Sequence, residues 1–168
     1  CCAPCSIMCI ETLRAENIEP HLFWYNPNIH PATEYKMRKN TLVEYARSIN
    51  VNLITNNEYG LRRFISEIKG DFDGRCSFCY KMRLEETAKY AAENSFSHIC
   101  TTLFVSPYQN HELLKETAEA AAEKIPLPAG RGGGQKRQIR FFIFRFIFSK
   151  PRLYQKSCRG APLYQPKR

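Results

Sequence analysis

Six of the eight cysteines in this 168-residue chain fall into two clusters whose spacing could support metal chemistry. They stand at the start of the chain and in a central Cys-x-x-Cys: Cys1, Cys2, Cys5, Cys9, Cys76 and Cys79. We expect each cluster at a loop just ahead of a helix, where the helix dipole favours the thiolate, the form that binds metal. Thiolates that a fold brings together can hold a soft metal or an iron–sulfur cluster.

Three kinds of site compete for these cysteines. A disulfide scaffold is disfavoured because such folds are usually small and secreted, whereas a chain of this length with 43% hydrophobic residues can build a core. The chain shows no signal peptide, so we expect a cytoplasmic protein. A zinc site and an iron–sulfur cluster need the same ligands, and spacing leaves both open, although adjacent cysteines are unusual in zinc knuckles.

Several other residues could take part in chemistry or have a purely structural role. Cys9 is expected on the core side of a helix, and Cys100 lies in an apolar segment as a buried thiol. Cys158 stands alone, and spacing marks it as an incidental thiol. His30 could be a ligand or an acid–base group, with hydrogen bonding to the backbone as the alternative. The segment 106–109, Ser-Pro-Tyr-Gln, suits a base-stacking loop.

The elements that must position these residues alternate between short apolar strands and helices. Apolar runs predict strands over 21–25, 51–55 and 99–105, and helical periodicity predicts helices over 6–17, 34–49, 61–68, 80–94 and 111–124. Asn110 is the expected cap of the last helix. This alternation predicts a single α/β domain with a parallel sheet and crossover helices.

The alternation lacks one strand. A doubly wound sheet would place a strand before the first cysteine cluster, with both clusters at the carboxyl ends of strands, where such folds bind ligands. We therefore expect the natural protein to be longer at its N-terminus, and the additional piece to be a central strand.

The net positive charge of the chain is concentrated in its last quarter. Residues 1–124 hold 14 Lys and Arg against 16 Asp and Glu, whereas residues 125–168 hold 11 basic residues and no acid. This tail is either an electrostatic arm for RNA or an atypical terminus, such as one altered by a shifted reading frame. No segment approaches the ~20 apolar residues that a membrane-spanning helix needs, so we expect no membrane contact.

Several motifs occurring in order over residues 1–124 resemble those of one family. They are Cys1-Cys2-Ala3-Pro4-Cys5, Tyr25-Asn26-Pro27-Asn28-Ile29-His30-Pro31, Glu34-Tyr35 with Arg38, Arg75-Cys76 through Cys79-Tyr80 with Arg83-Leu84, Thr101-Thr102-Leu103 and Ser106-Pro107-Tyr108-Gln109. Together they resemble the cobalamin-independent epoxyqueuosine reductases of the QueH type.

The resemblance implies a nucleotide-hydrolase-like (Rossmann-like) fold and a cytoplasmic oxidoreductase. Such an enzyme reduces the epoxide of epoxyqueuosine in tRNA to an alkene, the last step of queuosine biosynthesis, with electrons from a donor that the sequence does not identify. The resemblance assigns a [4Fe-4S] cluster to Cys1, Cys2, Cys76 and Cys79, and an additional iron with an open position could take the epoxide oxygen. The implied substrate contacts are Asn28, His30, Tyr35, Arg38, Tyr108 and Gln109.

The tail departs from the family pattern. The family ends in an acidic segment and a close cysteine pair that is redox-active, and residues 153–160 resemble a remnant of it. Cys158 aligns with the first cysteine, which makes it the implied catalytic thiol, but Gly160 occupies the second position and residues 125–168 contain no acid. We therefore expect impaired reduction by this chain.

Two other functions remain open from the sequence. One is a non-catalytic, zinc-stabilised RNA-binding module whose main contact is the basic tail. The other is a cluster-dependent tRNA thiolation enzyme, which would want a Gly- and Ser-rich pyrophosphate loop that residues 1–6 do not supply.

Overall fold

Helices dominate the fold, and short parallel strands lie between them. The structure, a computed structural model, describes residues 3–68, 74–125 and 140–141. The helices are α1 (Ala3–Ala15), α2 (Ala32–Ser48), α3 (Leu61–Ile68), α4 (Arg75–Glu93) and α5 (His111–Lys124). The strands are β1 (Leu22–Trp24), β2 (Leu53–Thr55), β3 (His98–Ile99) and β4 (Arg140–Phe141), with a 3-10 turn over Thr102–Val105.

The strands form two separate parallel pairs. β1 pairs with β2, with Phe23 opposite Ile54, and β3 pairs with β4, with Ile99 opposite Phe141. The predicted α/β class with parallel strand pairing is therefore confirmed. β4 lies within the stretch predicted as a basic tail, so two residues of that stretch add a strand to the fold.

The largest hydrophobic core lies between α4 and α5. Alanines at helical spacing on both helices let the backbones approach closely, and Tyr80, Leu84 and Leu114 fill the remaining space. A second cluster surrounds Trp24, whose indole N–H donates a 3.1 Å hydrogen bond to the hydroxyl of Tyr35. The first cluster holds α4 in place, and the second holds the end of β1.

Three predicted elements differ from the structure. α1 begins at Ala3 rather than at residue 6, so Cys5 lies within this helix instead of in a preceding loop. α4 begins at Arg75 rather than at residue 80, because no helix breaker follows Gly74, and Cys76 and Cys79 therefore lie within its first five residues instead of in a preceding loop. The predicted strand over 99–105 ends at Ile99. The Thr101 hydroxyl accepts a hydrogen bond from the N–H of Leu103, and this local bond starts a 3-10 turn in place of a sheet ladder.

The remaining predictions match closely. α3 and α5 have the predicted bounds, and the side chain of Asn110 caps α5 by accepting a 3.1 Å hydrogen bond from the N–H of Leu113. Among the described residues, no helix combines the length and the apolar character that crossing a membrane would require.

Candidate metal centre

The N-terminal end of α4 presents two thiols on one side of the helix. Cys76 is exposed and Cys79 is half-buried. Residues three apart are neighbours on a helix surface, with Cβ atoms roughly 5–6 Å apart. The helix start also carries partial positive charge from its free N–H groups, which stabilises thiolates. Two adjacent thiols with the chemistry to bind a soft metal therefore lie at this end of α4.

Arg83 lies one turn further along α4, on the same side as Cys79. Burial raises the pKa of the Cys79 thiol, while the positive charge of Arg83 and a hydrogen bond from its guanidinium lower it. Burial lowers the pKa of Arg83, and the nearby Cys79, Tyr80 and Cys5 oppose that shift. Cys5 belongs to α1, so the charge of Arg83 acts on thiols of both α1 and α4.

Two of the four predicted ligands can be placed. Cys76 and Cys79 are described, whereas Cys1, Cys2 and the predicted redox thiol Cys158 lie outside the described residues. In the described ranges, no group of three His, Cys, Asp or Glu side chains is arranged to hold a metal ion. The thiols of Cys76 and Cys79 have the donor chemistry that an iron–sulfur cluster requires, and the positive charge of Arg83 lies near them.

The predicted substrate residues Asn28 and His30 each have one buried polar atom without a partner. These atoms are Asn28 Oδ1 and His30 Nε2. The other ring nitrogen, His30 Nδ1, is 3.1 Å from the hydroxyl of Tyr59. Burial lowers the pKa of His30, so its imidazole is neutral near pH 7. A hydroxyl group could donate to the amide oxygen and also bond to the imidazole.

Tyr35 and Arg38 have their hydrogen bonds within the fold. The Tyr35 ring is buried in the Trp24 cluster, and its hydroxyl donates to the carbonyl of Asn56 at 3.4 Å. Arg38 forms an ion pair with Glu34 on the exposed side of α2. Both residues help to order the elements around the Asn28–His30 loop.

The loop that precedes α5 reaches the N-terminal end of α4, where Cys76 and Cys79 lie. The Tyr80 hydroxyl, one residue after Cys79, donates a 2.7 Å hydrogen bond to Gln109 Oε1. The neighbouring Tyr108 has 93% of its surface exposed. A flat aromatic side chain in that position is available to stack on a nucleobase.

Aromatic contacts link the Asn28–His30 loop to α4, and the sequence did not predict them. The His30 and Phe64 ring centroids are 5.8 Å apart, and the Phe64 and Phe78 centroids are 6.0 Å apart. Phe78 lies directly before Cys79. The family motif that runs from Cys79-Tyr80 to Arg83-Leu84 is the sequence signal that indicated Arg83 as a further member of the site.

Cys9 is buried, as predicted, whereas Cys100, predicted as a buried thiol of a strand, is partly buried and follows the end of β3. Cys9 is buried against Leu13 and Val105, with Cys100 packed beside it. Burial, with a smaller contribution from Cys100, raises the pKa of Cys9 to about 12, and burial raises that of Cys100 to about 11. Both thiols remain protonated at neutral pH, so neither resembles a metal ligand or a reactive nucleophile.

Because the pKa values of these two thiols are raised, we expect the protein to lose stability at alkaline pH. Above pH ~9 the unfolded chain ionises both thiols while the native protein keeps them protonated, so the free energy of unfolding falls as pH rises. The shift at Cys100 corresponds to about 2–3 kcal/mol by pH ~11. Urea unfolding of the metal-free, reduced protein should show a smaller alkaline loss in Cys100→Ala, and an unchanged loss in the exposed-thiol control Cys76→Ala. Equal losses in all three proteins would contradict this assignment.

Comparison with known proteins gives consistent matches. A family model described as epoxyqueuosine reductase QueH matches residues 1–130. The epoxyqueuosine reductase QueH of Dehalococcoides mccartyi is 33% identical over 124 residues, which is 74% of this chain and 68% of the relative. The proteins of the same name from Histophilus somni and Acinetobacter baylyi are 32% and 36% identical, covering 96% and 75% of this chain and 68% and 60% of their own lengths.

Proposed function

Because the chain belongs to the epoxyqueuosine reductase QueH family, we propose that it reduces epoxyqueuosine in tRNA to queuosine. The protein is an oxidoreductase of queuosine biosynthesis in tRNA. Conversion of an epoxide to an alkene takes up two electrons and two protons and releases the oxygen as water. The family favours this function over a non-catalytic, zinc-stabilised RNA-binding module.

We further propose a [4Fe-4S] cluster held by Cys1, Cys2, Cys76 and Cys79. Such a cluster, when bound, supplies single electrons. The observation that supports this ligand set is the guanidinium of Arg83, which hydrogen-bonds to Cys79 and interacts electrostatically with Cys5 of α1. Cys1 and Cys2 directly precede α1 in the sequence. The fixed charge of Arg83 would offset part of the negative charge of four thiolates.

The residues around this centre have separate roles in the proposal. Asn28 and His30 would bind a hydroxyl of the substrate, since each has a buried polar atom that lacks a partner. Gln109 is held by Tyr80 and would contact the base beside it, while the exposed Tyr108 would stack on a neighbouring nucleobase. Tyr35 would act indirectly by holding the loop, and Arg38 would contact phosphate from the exposed side of α2. The electron donor is a separate partner.

Binding to tRNA tests this assignment. Tyr108→Ala should weaken binding by about 1–3 kcal/mol, because one base-stacking contact is lost. Ile18→Ala is a matched control, since Ile18 is also exposed but precedes β1, at the opposite end of that strand from the metal-binding helix ends. Fluorescence titration with tRNA that carries epoxyqueuosine would measure both. Equal effects of the two substitutions would contradict a role for Tyr108.

The basic tail should contribute affinity without selectivity. Deleting residues 142–168 removes basic residues but keeps β4, and it should weaken binding of all tRNAs equally and reduce the salt dependence. The same titration over a range of salt concentrations measures both effects. If preference for the epoxyqueuosine-containing tRNA disappears on this deletion, the tail and not the α/β body reads the substrate.

A further inference from the structure

Tyr59, which lies between β2 and α3, contacts His30 through both its hydroxyl group and its ring. The Tyr59 hydroxyl is 3.1 Å from His30 Nδ1. The two ring centroids are 5.2 Å apart with an interplanar angle of 77°, the edge-to-face arrangement that aromatic rings favour. Tyr59 lies outside the family motif that contains Asn28 and His30, and it is the side chain that holds one nitrogen of the imidazole.

The loop that carries Tyr59 has a defined conformation. Asn56 Oδ1 accepts a 3.1 Å hydrogen bond from the N–H of Glu58, which forms a local turn just before Tyr59. The next residue, Gly60, is buried against Pro27, and a Cβ atom added to Gly60 would lie 2.5 Å from the Cβ of Pro27. No side chain fits at that distance. The close approach therefore requires glycine, and it brings Tyr59 to the loop that contains Pro27.

The bond at Nδ1 has a consequence for the proton of the His30 ring. Burial lowers the pKa of His30, so the imidazole is neutral at neutral pH and has a single N–H group. A phenol hydroxyl donates better than it accepts, because the lone pair of its oxygen is delocalised into the ring. A hydroxyl that donates to Nδ1 leaves the ring proton on Nε2, since the bond at one ring nitrogen sets the protonation of the other.

Two buried atoms of the loop are then complementary to one another. Within the described part of the chain, His30 Nε2 and Asn28 Oδ1 have no hydrogen-bond partner. Buried polar atoms are nearly always hydrogen-bonded, so a pair of this kind indicates a place where a ligand binds. With the proton on Nε2, the pair offers one donor and one acceptor. An alcohol hydroxyl accepts from the first and donates to the second.

We propose that Tyr59 is a positioning residue that holds His30 in the Nε2–H tautomer, and that this N–H and Asn28 Oδ1 together bind a hydroxyl group of the substrate. The opposite tautomer would present two acceptors, and a hydroxyl with one proton satisfies only one of them. A ligand without a hydroxyl would leave both buried atoms unpaired, so the pair selects against it. The identity of the ligand rests on the proposed function, whereas the tautomer does not.

NMR of the imidazole nitrogens tests the tautomer. In the ¹⁵N-labelled 168-residue chain, long-range proton–nitrogen correlations at neutral pH distinguish protonated from unprotonated ring nitrogens, and His30→Gln identifies the signals of His30. The unaltered chain should show a protonated Nε2 and an unprotonated Nδ1. Tyr59→Phe keeps the ring and removes the hydroxyl, so both signals should move toward the average of the two tautomers. Tyr45→Phe, which removes a hydroxyl from a tyrosine packed against the Trp24 cluster, is the matched control and should leave them unchanged.

Binding of tRNA tests the ligand. The affinity for tRNA that carries epoxyqueuosine, divided by the affinity for the unmodified transcript of the same tRNA, measures recognition of the modified group. Tyr59→Phe should lower this ratio by roughly two- to fivefold, because the binding-competent tautomer becomes a fraction of the population. Tyr45→Phe should leave the ratio unchanged.

The two measurements separate failure of this proposal from failure of the proposed function. An Nδ1–H tautomer in the unaltered chain would overturn the role of Tyr59 even if Tyr59→Phe does not fold, and so would an Nε2–H tautomer that persists undiminished in Tyr59→Phe. Neither result involves tRNA or a cluster, so the reductase function would stand. Equal affinity of the unaltered chain for the two tRNAs would instead contradict the proposed function and the binding of a substrate hydroxyl.

Discussion

Replacing Cys76 or Cys79 with Ala should abolish the broad visible absorbance of the anaerobically reconstituted protein and its reductase activity. The proposed cluster needs four thiolates, and Ala offers no ligand in place of the missing sulfur. Cys1→Ala and Cys2→Ala should have the same effect as the substitutions on α4. Iron content and the visible spectrum of each variant measure the result.

The matched controls for these substitutions are the two interior thiols. Cys9→Ala and Cys100→Ala remove cysteines that burial keeps protonated, so the spectrum should be retained in both. Circular dichroism would verify that every variant is folded. A spectrum that survives Cys79→Ala, or that is lost equally in the controls, would contradict the proposed ligand set.

The second large effect concerns the tail. The 168-residue chain should reduce epoxyqueuosine poorly, because a redox dithiol needs a second thiol to close a disulfide and Cys158 has none nearby in sequence. Cys100 is a poor substitute, since it is an interior thiol and a disulfide requires Cα atoms within about 7 Å. Single-turnover assays with nucleoside mass spectrometry would measure the queuosine formed.

Two variants separate the possible causes of low activity. Gly160→Cys alone should recover little, because residues 125–168 would still lack an acidic residue. A chain with a family-like acidic and Cys-Gly-Cys tail, together with an apolar strand ahead of Cys1, should recover far more. Robust reduction by the unaltered chain would show that the tail is dispensable.

The sequence predicted the elements best where local signals were strong. α5 has both helical periodicity and the capping side chain of Asn110, and its bounds were predicted correctly. α4 starts five residues earlier than predicted, because no local signal marks residues 75–79 as helical. The strand predicted over 99–105 is shorter in the structure because the Thr101 hydroxyl accepts a hydrogen bond from the N–H of Leu103. Apolar periodicity does not detect this bond.

The candidate site was predictable in its residue types and less so in its contacts. Cysteine spacing identified Cys76 and Cys79, and the family motifs indicated Asn28, His30, Tyr108 and Gln109. The ring contacts of Phe64 and the hydrogen bond between Tyr59 and His30 join segments that are far apart in sequence. No local sequence pattern therefore predicts them. The role of Arg83 depends on its hydrogen bond to the Cys79 thiol and its electrostatic interaction with the Cys5 thiol. Only the folded structure shows these interactions.

The most direct test of the account is metal analysis of the anaerobically purified protein together with its visible spectrum. The account predicts a coloured protein with about four irons and four acid-labile sulfides per chain, as a [4Fe-4S] cluster requires. A colourless protein that holds one tightly bound zinc would contradict it, because a four-cysteine zinc site uses the same ligands without any redox chemistry.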